Sequence, residues 1–418
     1  MILVQNRPLQ LSGSKIIGLG LCCSLFLSSC GVFGPIFSKK KPRDTEQTVD
    51  PDPDQTEKDA PIVEPEKVEA MDVTLLLPLQ LNQIQQNRPG IDDVKRTMLP
   101  LDFYQGFRLG MTALPEEGKQ FTVHVLDSRD NEAYSRSLGQ SKEAKAADLI
   151  VGPIFPKEIS AFSEGLQRSE VLLVSPLAAS TPSDFNVPNL VSLVPPITQH
   201  AKSMVAYLED TYGTEDKIFL YRDQGSENDK FMEPVSTYLE ESGLDVHVID
   251  ALDAMESLCT LSGRNVFIMG STNRYAIMST MSVLRSLEAF GYTLDVYGHP
   301  GWAKMNFDAS LFEGLQAYIT SSSYVDTRNP AVNVFRRNYV ETFKVEPSEY
   351  AYKGYDAGYF FGYMLGKYGA EVQKALGKED YKGLQTSYTF ESDPKWGFVN
   401  TYIELLQFKG NAFQPLEK

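Results

Sequence analysis

From residue 72 onward the chain alternates between short unbroken apolar runs and longer segments whose apolar residues recur at helical spacing. DVTLLLPL (72–79) is the first run. A polar loop is expected at 80–100, then a helix in LDFYQGFRLGMTAL (101–114). Further runs follow at FTVHVLD (121–127), ADLIVGP (147–153), EVLLVSP (170–176) and LVSLVPP (190–196). After a helical segment at 197–212 the cycle resumes with KIFLYRD (217–223), LDVHVID (244–250), NVFIMGS (265–271) and LDVYGHP (294–300). Strands that read as continuous apolar runs, rather than as alternation, suit parallel sheets covered by helices on both faces. The pattern predicts an α/β protein with right-handed crossovers. About 350 residues exceed the usual size of one doubly wound sheet, so two similar lobes are expected.

The first thirty residues follow another pattern. Arg7 and Lys15 precede the apolar run IIGLGLCCSLFL (16–27), which is shorter than the about 20 residues a membrane-crossing helix needs. A basic start, a short apolar middle and small residues at the end describe a secretory signal, residues 1–29. Its ending, LSSCG (27–31), resembles the bacterial lipobox, which implies acylation of Cys30. An ordinary signal peptide that happens to contain a cysteine is the alternative. Residues 30–71 are rich in Pro, Asp and Glu and poor in large apolar side chains, so they are expected to be a disordered tether.

Composition then removes several function classes. The chain carries a net charge of −16, with no basic patch interleaved with aromatics, which argues against nucleic acid. Of four cysteines, Cys22 and Cys23 leave with the signal and Cys30 is acylated. Cys259 alone remains, and no internal disulfide can form. Four scattered histidines give no metal-ligand spacing. No nucleophile–base pair or phosphate loop stands at catalytic spacing, so neither an enzyme nor a cofactor is expected.

LLLPL, DFYQGFRLGM, FTVHVLDSRDN, ADLIVGP, VLLVSPLAAST and LVSLVPP occur in an order that resembles the type I periplasmic binding fold of leucine/isoleucine/valine-binding proteins. VYGHPGW (296–302) and FRRNYVETFKVEPSEYAYKGYDAGYFFGYM (335–364) extend the resemblance along 72–408. It implies two doubly wound lobes joined by three crossover strands. Lobe 1 would comprise 72–195 and 325–385, lobe 2 196–324 and 386–408, with 409–418 as a tail.

Ligands of open α/β sheets lie beyond the carboxyl ends of the strands. That rule selects Gly152, Phe155, Lys157, Ser175, Ala178, Ser180 and Thr181 on one side. On the other it selects Tyr221, Asp223, Glu227, Ser271, Asn273, His299 and Trp302. Free N–H groups after Gly152-Pro153 would favour an anion. Simpler roles stand beside these: a chain turn at Gly152, a cap at Ser180-Thr181, a solvated Lys157, a loop hydrogen bond at His299, core packing for Trp302. The receptors of the resembled family place a serine-rich turn after Gly-Pro and an acid in the Gly-x-x-Gly loop. This chain has Ile154-Phe155-Pro156-Lys157 and Gly298-His299-Pro300-Gly301 there, which makes a standard branched-chain amino acid a poor ligand.

Two functions stay open. One is a lipid-anchored receptor that takes a small polar ligand between its lobes and hands it to an ABC-transporter permease. The other is a contact protein of the envelope, resembling the lipoproteins that activate penicillin-binding proteins, with a peptidoglycan synthase as partner. Either implies a periplasm-facing lipoprotein of a Gram-negative bacterium. Val32, in place of an aspartate, points to the outer membrane.

Overall fold

The computed structural model describes residues 70–84, 89–114, 120–222 and 226–416, apart from the side chains of 226–228 and 254. The expected signal, Cys30 and most of the tether lie outside the described residues.

In chain order the strands are β1 Ala70–Leu77, β2 Gln120–Asp127, β3 Leu149–Val151, β4 Leu172–Ser175, β5 Leu190–Ser192, β6 Lys217–Tyr221, β7 Val246–Ile249, β8 Arg264–Met269, β9 Thr293–Gly298 and β10 Gln316–Ser321. The C-terminal part adds β11 Tyr381–Lys382, β12 Ser387–Tyr388, β13 Phe390–Asp393, β14 Gly397–Asn400, β15 Glu404–Lys409 and β16 Ala412–Pro415. The helices are α1 Ile91–Thr112, α2 Glu132–Leu138, α3 Lys142–Ala146, α4 Pro156–Leu166, α5 Ile197–Thr211, α6 Ser226–Ser242, α7 Arg274–Ala289, α8 Pro330–Phe343, α9 Glu349–Tyr368 and α10 Val372–Ala375.

Two seven-stranded sheets result, ordered β2-β1-β3-β4-β5-β14-β13 and β7-β6-β8-β9-β10-β15-β16. Within each, the first five strands pair in parallel. The central strands are buried throughout, as in β3, β4 and β8, because helices cover both faces. These are the two doubly wound lobes the apolar runs predict. The chain crosses between them three times: at 193–196, at 322–329 and at 401–403.

Three boundaries differ from the sequence-based expectation. Residues 386–400 belong with lobe 1, because β14 pairs with β5 and β13 pairs with β14. Residues 409–416 are no tail: a turn at Gly410 lets β16 fold back on β15, with Phe408 opposite Phe413. The stretch 91–100, expected as loop, is the first half of α1. Its start is fixed by Asp93, whose carboxylate accepts the Gly90 N–H at 2.9 Å, and the helix continues through Pro100.

Helices α1 and α9 run in parallel across one face of the first sheet. Gly106 and Gly110 of α1 face Ala351 and Tyr355, and Gly354 and Gly358 of α9 face Phe103 and Phe107. A Cβ at any of the four would fall on the opposing backbone, so the two helices touch main chain to main chain. In lobe 2 a polar network holds the amino ends of the strands. Arg264 forks onto Asp295, which is fully buried, and the Tyr212 hydroxyl donates to the same carboxylate at 2.8 Å.

Candidate functional site between the lobes

Because α9 runs parallel to α1, both helices begin at the carboxyl edge of the first sheet. The carboxyl edge of the second sheet approaches the same place, since the Lys304 ammonium, in the turn after β9, donates to Glu349 at the start of α9 (3.0 Å). At the crossings Tyr324 N–H donates to the Gln385 carbonyl at 2.8 Å, and Ser323 pairs with Thr386. A cavity of about 250 Å³ lies there, lined among others by Ala303, Met305, Tyr324, Gln385 and Leu406. A larger one, about 550 Å³, lies inside lobe 2 between Arg222 and α6.

On the lobe 1 wall, Gly152 is buried with φ +103°, and its N–H donates to the Val174 carbonyl at 2.7 Å. The position requires glycine, since a Cβ would fall on the Leu76 carbonyl. Its own N–H is therefore engaged within the sheet, and any anion-binding N–H groups would be those after Pro153, at the start of α4. Phe155 is half-buried against the lobe 1 core, as are Leu177 and Tyr350. Lys157 is exposed and pairs with Asp130 at 2.9 Å, which raises its ammonium pKa. Ser175 ends β4 fully buried, and its Oγ has no partner among the described residues. Ala178 is buried in the core, Ser180 is half-buried, and Thr181 is exposed ahead of a short turn.

On the lobe 2 wall, Tyr221 ends β6, half-buried, with its ring 5.5 Å from Phe267. Asp223 lies outside the described residues; Glu227 lies in α6, its side chain outside them. Ser271 is buried: its carbonyl accepts the Trp302 indole N–H at 2.7 Å and its Oγ accepts Asn273 N–H at 3.2 Å. Asn273 caps α7, accepting from the N–H groups of Tyr275 and Ala276. These two residues are engaged in holding their own loop. Trp302 is no cleft wall: it is fully buried, because Gly298 leaves room for its ring and Phe307 and Phe312 pack around it.

His299 Nδ1 accepts the Gly301 N–H at 2.9 Å, which leaves Nε2 as the protonated nitrogen of the neutral ring. Its neighbour His200, on the first turn of α5, was not among the expected residues. His200 is buried, Nδ1 lies 3.0 Å from Thr320 Oγ1, and burial pulls its pKa down to about 4 with His299 adding to the effect.

Two more groups escaped the strand-end rule because they sit on α9. Asp356 is fully buried and accepts the backbone N–H groups of Leu384, Gln385 and Thr386 at 2.7–2.9 Å. It pins the turn that meets the second crossing, and burial pushes its pKa up to about 6 against those hydrogen bonds. Lys353, one turn into α9, is mostly withdrawn from water, 3.8 Å from Glu349. The YDA signature at 355–357 and the Glu349–Lys353 spacing were visible, but nothing in the sequence placed them against lobe 2.

Two doubly wound lobes, three crossings and polar strand ends turned toward one another define a two-lobed binding protein. The chain belongs to the periplasmic binding protein family, whose model matches residues 103–409. That family is one of binding proteins, not enzymes, and places the domain in the periplasm. Among solved structures, a putative branched-chain amino acid ABC transporter protein from Rhodospirillum rubrum is similar, at 16% identity and TM-score 0.58, covering 83% of this chain and 100% of that one. A branched-chain amino acid transporter protein from Rhodopseudomonas palustris matches at 11% identity and TM-score 0.55, covering 83% and 96%. An ABC transporter substrate-binding protein from Desulfitobacterium hafniense matches at 14% and 0.51, covering 83% and 100%. At such identities the likeness is one of fold. No curated protein matches the sequence.

Proposed function

We propose that the protein is a lipid-anchored solute receptor that holds a small polar ligand, other than a standard branched-chain amino acid, between its lobes for an ABC transporter. The observation that carries this reading is the convergence of both carboxyl edges at the Lys304–Glu349 pair. On this reading Phe155, Ser180 and Thr181 stand on one wall, Tyr221 and His299 on the other. Solute recognition in the solved relatives, named for amino acid transport, supports the class and not the ligand. Cys30 supplies the anchor, and acyl labelling lost in Cys30→Ser tests that part.

A thermal-shift screen of amino acids, peptides, muropeptides and sugars tests the solute reading. A ligand at about 100 times its dissociation constant adds about 2.7 kcal/mol, a plain rise in the unfolding midpoint. No shift with any class argues against a receptor. One observation favours a second reading, contact with an envelope protein such as a peptidoglycan synthase. Ile91, Val94, Met98 and Leu101 form an exposed apolar stripe along one face of α1. Crosslinking from this stripe that recovers a synthase, with no solute shift, would establish it.

A further inference from the structure

One charged group between the lobes, around Glu349, is unequal in sign. Glu349 is the single carboxylate of a group that includes two ammonium ions, Lys304 from lobe 2 at 3.0 Å and Lys353 from lobe 1 at 3.8 Å. Lys304 is exposed, whereas the Lys353 side chain is only 18% exposed. An ammonium has three donors, and the one carboxylate paired with Lys353 among the described residues stands 3.8 Å away, beyond hydrogen-bond reach. Burial lowers the Lys353 pKa, Glu349 raises it, and the second ammonium at Lys304 lowers it again. The group sits at the start of a 20-residue helix, whose dipole adds positive potential at that end. A local excess of positive charge stands out in a chain of net charge −16. Tyr350, 6.0 Å from the Lys353 ammonium, supplies an aromatic side to the same spot.

We propose that Lys353 and Lys304 form an anion-binding pair, one lysine from each lobe, and that the receptor's ligand is a small acidic solute carrying a carboxylate or a phosphate. The proposal rests on the solute-receptor reading and names the ligand class of that site. Glu349 is the internal competitor: it occupies Lys304 and faces Lys353 until the ligand's anionic group takes both ammonium ions. A ligand held this way bridges the lobes, because each lobe contributes one of its cations. Ligand exchange and lobe contact then share one set of charges.

The test titrates acetate, succinate and inorganic phosphate into the full-length protein against sodium chloride of matched ionic strength, reading the unfolding midpoint. Succinamide and glucose serve as neutral controls. At least one anion is expected to give a saturable rise in the wild type. Lys353→Met is expected to weaken it tenfold or more and Lys304→Met severalfold. Glu349→Gln is expected to tighten it at least threefold, a gain that loss of structure cannot produce. Lys304 is exposed on the other lobe, so Lys304→Met keeps the test valid if Lys353→Met fails to fold. Anion effects equal in all four proteins, or absent from the wild type, overturn the proposal. A neutral solute that binds wild type and Lys353→Met alike overturns it while leaving the receptor reading intact. Silence with every anion and every neutral solute overturns both.

Discussion

In lobe 1 the sheet is covered by two helices whose backbones touch through Gly106, Gly110, Gly354 and Gly358. In lobe 2, which has the same order of parallel strands, the comparable stiffening comes from Arg264, Asp295 and two tyrosines hydrogen-bonded across the strand starts. The first lobe is built from chain segments far apart in sequence, with α8 and α9 returning to it after strands β6 to β10 of lobe 2. A close steric fit between α1 and α9 secures that return with no charge to satisfy. The second lobe is nearly continuous in sequence and tolerates a polar lock. One topology thus admits two ways of holding a layer, and they fail differently.

The largest effect is expected from Gly106→Ala, whose Cβ meets the Ala351 main chain. It should cost about 3 kcal/mol or more, since backbone cannot move aside as a side chain can. Gly213→Ala, with nothing within 4 Å of the new Cβ, should be near neutral. Asp295→Ala in lobe 2 should cost less, about 2 kcal/mol, because the Arg264 guanidinium it leaves unpaired is partly exposed and the Tyr212 hydroxyl keeps Tyr297 as a partner. Urea unfolding of the three variants ranks them. A small loss in Gly106→Ala beside a large one in Asp295→Ala would reverse the comparison.

A second contrast is of sign. His200, in lobe 2, is held neutral by burial, with a pKa near 4 against about 6.5 unfolded. The unfolded chain therefore binds more protons in that window, and this contribution, present above pH 6.5, is lost as pH falls toward 4. Asp356, in lobe 1, has its pKa raised to about 6, so the folded protein binds more protons and gains stability as pH falls from 6 toward 4. The two lobes thus oppose each other in mild acid. His200→Gln should remove its acid-labile part, up to about 3 kcal/mol, and make the fall of stability between pH 6 and 4 shallower than in the wild type. An unfolding midpoint that falls as steeply in that variant as in the wild type would show that His200 is not the acid-sensitive group.

The smallest effect is expected at Lys157, whose pair with Asp130 is solvent-exposed. Lys157→Met should leave the unfolding midpoint unchanged and, if the ligand is held by Lys304 and Lys353, ligand affinity as well.

Much of the architecture was legible because unbroken apolar runs at regular spacing permit few alternatives to two parallel sheets. The runs also located the strand ends, and with them Phe155, Ser180, Tyr221 and His299. Other features were invisible for physical reasons. The segment 390–400 reads as a short strand in either lobe, and only pairing with β5 assigns it. Trp302 looks like a cleft residue until Gly298 is seen to open a slot beneath its ring. Asn273 carries the side chain of a ligand donor and of a helix cap alike, and the cap wins because α7 starts one residue later. Lys304, Glu349 and Lys353 lie on a turn and a distant helix. Their meeting is a property of the assembled lobes, which no local pattern encodes.

The central claim is that a solute sits between the two sets of strand ends. It is tested most directly by the affinity of the solute that stabilises the wild type, measured in Phe155→Ala and in Tyr221→Ala, one substitution from each wall. The account predicts that each weakens binding about tenfold, as expected when a buried aromatic contact worth about 1.4 kcal/mol is lost. Wild-type affinity in either variant, with the other impaired, would place the solute on one lobe alone and contradict the account.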